Sequence, residues 1–142
     1  MASVENLKKR YASVKDSLYQ LNKNILILKN DPVGKTHYEF MRNSEIQCFE
    51  FSLDTFWKLL KEYLLQVYKV SVEVPTPKKV FRESLNIKLI TEDEFNALLD
   101  AVDARNVTSH TYHEELAQEI SQKIPHFYEV INGIFSRLKI DQ

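Results

Sequence analysis

Apolar side chains recur at alternating steps of four and three residues along the N-terminal part of the chain. Residues with this spacing share one face of an α-helix. The stripe consists of Leu7, Tyr11, Val14, Leu18, Leu21, Ile25 and Leu28. It predicts a long amphipathic first helix that must pack against other helices, and that ends at the turn of residues 30–34, where Pro32 and Gly34 interrupt it.

A second stripe follows with the same spacing. It consists of Ile46, Phe49, Leu53, Phe56, Leu60, Tyr63 and Val67. Ser44 and Gln47 form a capping-box pattern, so the second helix is predicted to begin near Ser44. Its other flank adds Phe51, Trp57 and Leu64. Because one partner helix cannot cover that much apolar surface, we expect a central position in a bundle or a contact between subunits.

Two further helix starts can be recognised from their capping residues. Residues 70–77 are predicted to be a connection, in which Thr76 is an N-cap and Pro77 the first helical residue of a short basic helix. Thr91 and Glu94 form a capping box that starts helix four. The basic helix contains Lys78, Lys79, Phe81, Arg82 and Leu85. Helix four is predicted to bury Phe95, Leu98, Leu99 and Val102.

The last helix has its own stripe and a proline at position 125, where a kink is expected. The stripe consists of Leu116, Ile120, Ile124, Phe127, Ile131, Ile134 and Leu138. With only two glycines and four prolines, the chain does not suit a loop-rich or all-β design. We therefore predict an all-α protein. Residues 1–142 form a single domain, an up-and-down antiparallel bundle of four main helices plus the short basic helix.

Composition narrows the classes of function. Nineteen Lys and Arg against twenty Asp and Glu leave a formal charge of −1, so the chain lacks the positive field of proteins that hold long nucleic acids. No apolar run approaches the roughly 20 residues that span a bilayer. The one cysteine, Cys48, excludes an internal disulfide, and the N-terminus does not have the pattern of a signal segment. A cytoplasmic protein that is not a membrane protein is expected.

The segment of residues 105–112 carries the chemistry. Arg105 offers a planar set of donors that matches phosphate oxygens, and His110 can donate or accept a proton near neutral pH. Tyr112 adds a hydroxyl and a flat face for a base. The trio therefore suits a phosphate-containing ligand. The alternative is structural: a surface arginine, a helix-capping histidine and a packing tyrosine.

An unbroken helix would separate this trio. At about 100° per residue, positions 105 and 110 lie about 140° apart around a helix. Thr111 and Glu114 form another capping-box pattern, and residues 107–109 are mediocre helix formers. We therefore predict a break between Asn106 and Thr111. It would place the N-terminus of the last helix, with its free backbone donors, beside Arg105 and His110 as an anion site.

Three other patterns have less specific meaning. The run from Gly34 to Thr36 ends like a phosphate-binding P-loop, but it lacks the earlier glycine and the preceding strand, so a surface turn is expected. His110, His113 and Glu114 have spacings that permit a metal site, yet such groups at a charged helix start are usually free of metal, and we expect none. The basic residues of the short helix and its surroundings are expected to be solvated, or to help hold phosphates; they are Lys78, Lys79, Arg82 and Lys88.

Several ordered blocks resemble one known family. They are Phe49-Glu50, then Trp57-Lys58 with Lys61, the block from Pro77 to Leu89-Ile90, and Arg105-Asn106-Val107-Thr108-Ser109-His110-Thr111-Tyr112. Over nearly its full length the chain resembles the nucleotidyltransferase substrate-binding proteins of the HEPN superfamily. The resemblance implies an HEPN-like helical bundle that forms a homodimer and has a minimal nucleotidyltransferase protein as its partner.

In related HEPN toxins the matching arginine and histidine form a metal-independent ribonuclease site, and the tyrosine can be adenylylated by the partner. Carried onto this chain, the resemblance implies that Arg105 would neutralise a scissile phosphate and His110 would assist proton transfer at the ribose 2′-hydroxyl. Tyr112 would be the modified hydroxyl.

Two functions follow, with a third alternative. The first is an accessory subunit of a two-component nucleotidyltransferase system, without a cofactor of its own, that binds a nucleotide or RNA-like ligand. The ligand-binding residues would be Arg105, Asn106, Ser109, His110 and Tyr112. The second is a toxin-like ribonuclease that uses Arg105 and His110 and is neutralised by the nucleotidyltransferase. The third is an interaction scaffold without a ligand site.

Overall fold

Five α-helices make up the structure, a computed structural model that describes residues 2–30, 35–110 and 114–140. The helices are α1 (Ala2–Asn30), α2 (Lys35–Tyr68), α3 (Pro77–Asn86), α4 (Glu92–His110) and α5 (Glu114–Arg137). Four are long and α3 has 10 residues. The predicted all-α class, with four main helices and one short basic helix, is confirmed.

Side-chain contacts between α1 and α2 show their relative direction. The Thr55 hydroxyl donates to that of Ser17 at 3.4 Å, and the Asn24 amide contacts the Cys48 sulfur at 3.4 Å. Residue numbers therefore rise along one helix as they fall along the other. The pair is antiparallel.

Helices α2 and α5 run in the same direction. Ser121 donates a 2.6 Å hydrogen bond to Glu45, and four residues further along α2 the ring of Phe49 stacks on that of Phe127 with 5.5 Å between centroids. These contacts advance together along both helices. Since α1 and α2 are antiparallel, α1 also opposes α5.

The capping box predicted for α4 is confirmed atom by atom. The Thr91 amide donates to Glu94 Oε1 at 2.9 Å, and the Glu94 amide donates to Thr91 Oγ1 at 3.2 Å. Arg137 at the end of α5 donates to both oxygens of Glu94 at 2.8 Å. The start of α4 thus meets the end of α5, and the four long helices alternate in direction, as an up-and-down bundle requires.

Most members of the predicted stripes are buried, although Val67 of the second stripe is 47% exposed. The buried members of the four long helices include Leu7, Val14, Leu18, Leu21, Phe49, Leu53, Phe56, Leu60, Leu98, Ile124, Phe127, Ile131 and Ile134. On the second flank of α2 Leu64 is buried and Trp57 is half-buried, but Phe51 is 58% exposed. Phe40, also on α2, is 70% exposed. The bundle therefore leaves part of the apolar surface of α2 uncovered.

The predicted start of the second helix at Ser44 is wrong. Helix α2 begins at Lys35, and Ser44 lies inside it. The segment before Ser44 contains neither glycine nor proline after Gly34, so nothing in it interrupts the helix. Arg42 is fully buried and bound to Glu114 of α5, which holds the early turns of α2 in the bundle. The capping-box pattern of Ser44 and Gln47 therefore does not mark a helix start.

The predicted break between Asn106 and Thr111 is wrong as well. Helix α4 continues through His110. Valine, threonine and serine at 107–109 each cost only a few tenths of a kcal/mol in a helix, which is too little to end a helix already tied to α2. The capping pattern of Thr111 and Glu114 falls partly on residues 111–113, outside the described residues.

The connection and the third helix agree with the sequence pattern. Residues 69–76 are not helical, and the Thr76 hydroxyl accepts a 3.3 Å hydrogen bond from the Lys79 amide at the start of α3. Pro77 occupies the first turn, and Pro125 lies inside α5. Among the described residues, no helix is long and apolar enough to cross a membrane.

Candidate functional site

Arg105 of α4 is held by an acidic residue of α2. Its Nη2 atom donates to Asp54 Oδ2 at 2.7 Å, and both side chains are about one-third exposed. The Asp54 carboxylate therefore helps to fix the guanidinium, a planar group with five N–H donors, beside α2. The result is an arginine whose position is defined but whose face still meets solvent.

A pocket of about 350 Å³ opens beside this ion pair. It lies between α2, the start of α3 and α4. Its lining residues are Leu53, Asp54, Trp57, Lys58, Pro77, Val102, Arg105 and Asn106. The size is within the range of small-ligand sites, roughly 300–1,000 Å³. Two basic side chains and one acidic side chain face it, so the pocket has a net positive charge.

Trp57 and Lys58 supply a flat ring and a second cation. The ammonium of Lys58 lies 6.0 Å from the centroid of the Trp57 ring, at the edge of cation–π distance. Trp57 is half-buried and Lys58 exposed. Together with Arg105 and the exposed Asn106, they combine an aromatic surface with donors suited to phosphate.

The structure brings together only part of the predicted site. Arg105 and Asn106 line the pocket. The side chains of Ser109 and His110, and the whole of Tyr112, lie outside the described residues. Because α4 is helical through His110, positions 105 and 110 are about 140° apart around its axis. The helix break that was predicted to bring these two positions together is therefore absent from residues 106–110.

The basic residues of α3 have protein partners. Lys78 forms a 2.8 Å ion pair with Asp103 of α4, and the Lys79 ammonium donates to the Val74 carbonyl at 3.4 Å. The guanidinium of Arg82 lies 5.4 Å from the ring of Phe95. These contacts fasten α3 to α4 and to the connection before it. They are the structural explanation for most of the basic cluster.

Asp54 and Trp57 were not among the site residues predicted from the segment of residues 105–112. No spacing rule links Asp54 to Arg105, because they meet only when α2 packs beside α4. The available signal was the Trp57-Lys58 block of the family resemblance. Its residues are three and four positions beyond Asp54, on the same face of α2.

The other two patterns contribute little to the site. Lys35 and Thr36 belong to the first turn of α2, and Gly34 lies outside the described residues. In the described part of the chain, no three His, Cys, Asp or Glu side chains form a cluster fit for a metal ion. Of the three residues considered for metal, Glu114 binds Arg42, whereas the His110 side chain and His113 are outside the described residues.

Comparison with known proteins places this chain in a family. The profile of the family described as "Nucleotidyltransferase substrate binding protein like" matches residues 9–140. The chain belongs to this family. The comparison with curated proteins gave no match.

Three solved structures share the fold. A protein of Thermus thermophilus is 28% identical, with a TM-score of 0.77, 89% of this chain covered and 98% of that one. The MntA–HpeT toxin–antitoxin structure has 18% identity and a TM-score of 0.70, covering 92% and 94%. The tri-AMPylated HEPN toxin of Shewanella oneidensis in complex with MNT antitoxin has 16% identity and a TM-score of 0.59, covering 89% and 96%. At these lower identities the likeness concerns the fold.

Proposed function

We propose that this chain is the helical accessory subunit of a minimal nucleotidyltransferase and that it binds a nucleotide or RNA-like ligand in the Arg105 pocket. The family match over residues 9–140 supports the first part. Two of the similar folds occur in toxin–antitoxin structures, one of them with an MNT antitoxin. Residues 1–142 act as one domain in this proposal.

One observation carries the ligand site. The Trp57-Lys58 block of α2 and the Arg105-Asn106 block of α4 are far apart in sequence, yet they line the same pocket. The sequence blocks that resemble the family therefore coincide with a cavity of ligand size. If the two blocks served only to pack the helices, no cavity would be needed between them.

Each side chain has a role in the proposed complex. Arg105 binds phosphate oxygens through its guanidinium, and Lys58 adds a second positive charge. Trp57 stacks on a base, a contact worth about 1–3 kcal/mol in single-stranded nucleic-acid complexes. Asn106 hydrogen-bonds the sugar or base. Ser109, His110 and Tyr112 are the other ligand-binding residues of this proposal.

The negative charge of Asp54 opposes phosphate binding at Arg105. A phosphate that approaches Arg105 meets the Asp54 carboxylate 2.7 Å from the same guanidinium. The anion therefore has to share Arg105 with Asp54 and is repelled by it. Removal of the Asp54 charge would strengthen phosphate binding, provided that the fold tolerates the change.

The ribonuclease alternative needs a second subunit. Positions 105 and 110 lie about 140° apart around the axis of α4, which favours an arrangement in which the two residues come from different subunits. In a homodimer, two-fold symmetry would let Arg105 of one subunit and His110 of the other share a cleft. The exposed apolar side chains of α2 support the homodimer. The binding function is simpler, because it uses the pocket of a single chain.

Titration with AMP and with a short single-stranded RNA tests these functions. For an accessory subunit, wild-type protein binds AMP and leaves the RNA intact. Arg105→Ala weakens AMP binding about tenfold or more, because a charged hydrogen-bond donor is lost, and by more than His110→Ala does. Arg10→Ala is the matched control, since Arg10 is paired with Glu62 and its side chain is 37% exposed against 33% for Arg105.

The same assay separates the alternatives. RNA cleavage that Arg105→Ala and His110→Ala each abolish, and that chelators do not affect, would establish the ribonuclease. If the folded protein neither binds AMP nor cleaves RNA, only the scaffold function remains.

A further inference from the structure

A second and larger pocket lies on another side of the bundle. It has a volume of about 460 Å³ and is enclosed by α1, α2 and α5. It shares no lining residue with the Arg105 pocket. Its apolar and aromatic lining residues are Ile25, Leu26, Leu28, Pro125 and Tyr128. The proposed function does not use this pocket.

Glu45 places a carboxyl group in the inner wall. The residue is 2% exposed, and the neighbouring Ser121 is 9% exposed, so both lie deep between the helices. Ser121 donates to Glu45 Oε1 at 2.6 Å. Among the described residues, no hydrogen bond reaches Oε2. Burial of a carboxyl group beside a cavity costs stability, and a core that needed only packing would hold an apolar side chain here.

The charges around the pocket favour a positively charged group. Glu45 and Glu129 line it, with Lys29 as the one basic lining residue. Arg42 acts on Glu45 through space, but it does not line the pocket, and it directs Nη1 and Nη2 toward Glu114 at 2.6 and 3.0 Å. Asn22 and Gln122 also line the pocket, but the two carboxyl groups outnumber its basic residue, so the charge of the lining favours a cation over an anion.

We propose that this pocket binds an organic cation with an apolar body, whose ammonium group pairs with Glu45 and whose hydrocarbon or aromatic part packs between Leu26, Pro125 and Tyr128. The ammonium donates to Glu45 Oε2 in a charge-assisted hydrogen bond. The Tyr128 ring contributes a face for cation–π or apolar contact. The site is independent of nucleotide binding by Arg105.

Tryptamine is a suitable probe, because it joins an indole ring to a primary ammonium group. Tryptophol replaces the ammonium with a hydroxyl, and indole-3-propionate replaces it with a carboxylate on the same ring. We expect tryptamine to bind the full-length protein with a dissociation constant on the order of 1 mM or tighter. Tryptophol should bind about tenfold more weakly or worse, and indole-3-propionate should not bind. Amide chemical shifts should move around Leu26, Gln122 and Tyr128, which locates the site.

Glu45→Gln is the decisive variant. Glutamine has the same shape and still accepts from Ser121, so the bundle stays folded while the charge is lost. Tryptamine should then bind about tenfold more weakly. Glu119→Gln, an exposed residue of the same helix as Ser121, is the matched control and should bind as the wild type does.

The pH dependence of tryptamine binding gives a second measurement. Burial raises the pKa of Glu45 to about 7, against the opposing effects of Ser121 and Arg42. An ammonium ligand needs the ionised carboxylate, so binding should strengthen about tenfold from about pH 6 to about pH 8. The Glu45→Gln variant keeps Lys29, Arg42, Cys48, Tyr128 and Glu129, so any titration of those groups appears in both proteins.

Three results would overturn the proposal. They are the absence of tryptamine binding, equal binding of tryptamine and tryptophol, and equal binding by wild type and Glu45→Gln. A failure of this kind leaves the nucleotide site untouched, because AMP binding is measured at Arg105 with separate variants.

Discussion

The guanidinium of Arg42 and the carboxylate of Glu114 form a two-point ion pair, with 2.6 Å between Nη1 and Oε1 and 3.0 Å between Nη2 and Oε2. Arg42 is fully buried, whereas the Glu114 side chain is 47% exposed. The pair joins the early turns of α2 to Glu114, the first residue of α5. Glu114 lies two positions after the end of the 105–112 segment in the sequence. The pair therefore determines where α5 begins relative to α2.

The first prediction concerns this pair. Glu114→Gln should lower the free energy of unfolding by about 1–2 kcal/mol, because a buried guanidinium loses a charged partner while the solvent exposure of Glu114 limits the cost. Denaturant unfolding measures the change. The neighbouring Glu115→Gln, also at an exposed position, should stay within about 0.5 kcal/mol of wild type. Equal effects of the two substitutions would contradict the role assigned to Arg42.

The second prediction concerns Glu94 at the start of α4. Partial burial would raise its pKa, but hydrogen bonds from Arg137 and Thr91 outweigh this effect, and the pKa lies below the ordinary 4.5. A lowered folded-state pKa stabilises the protein above the unfolded-state pKa, and this contribution is lost as the pH falls through the folded-state pKa. Glu94→Gln should therefore be destabilising at neutral pH, and the difference from wild type should shrink toward about pH 3. Unfolding curves at both pH values test it. A constant difference would be inconsistent with the ion pair.

The third prediction concerns the stability cost of Glu45. Its pKa in the folded protein, about 7, is higher than the ordinary 4.5 because burial disfavours the charged form. A raised folded-state pKa contributes stability below the unfolded-state pKa, and this is lost as the pH rises through about 7. Glu45→Gln should therefore be more stable than wild type at about pH 8, by on the order of 2 kcal/mol, and should lose that advantage near pH 4. Thermal unfolding in the absence of any ligand measures this. An advantage that does not change with pH would refute the buried carboxylate.

The fourth prediction concerns the subunit interface. Light scattering at micromolar concentration should give twice the 16.7 kDa chain mass. Phe51→Asp on α2 should shift the protein toward the monomer, because it places a charge on an apolar surface that only a second subunit would cover. Val74→Asp is the control, since Val74 is 78% exposed in the connection before α3. A monomeric wild type would defeat the homodimer.

The fifth prediction concerns Tyr112. Incubation with a partner nucleotidyltransferase and ATP should add adenylyl groups that intact-mass analysis detects, if this hydroxyl is a modification target. Tyr112→Phe should block the addition, because the variant lacks the hydroxyl that accepts the adenylyl group. An unmodified wild type, under conditions where the nucleotidyltransferase is active, would remove Tyr112 as a target.

Much of the fold was predictable from local patterns. The stripes on α1 and α5 depend on the helical period, and the caps at Thr76 and Thr91 depend on side chains three residues from the groups they bind. Each of these patterns lies within one helix, so it can be recognised without knowing how the helices pack. Where local signals were weak, as at Ser44 and at residues 107–109, packing of the helices determined the boundaries instead.

The sequence by itself singled out Arg105 and Asn106 from their block, and both line the pocket. Only the tertiary structure decided what surrounds them. Asp54, 51 residues from Arg105, becomes its partner through the packing of α2 beside α4. The buried Glu45 meets Ser121 76 positions away. No sequence pattern marks such pairs. Their contacts form only when the helices pack together in the folded bundle, where burial and charge then stabilise them.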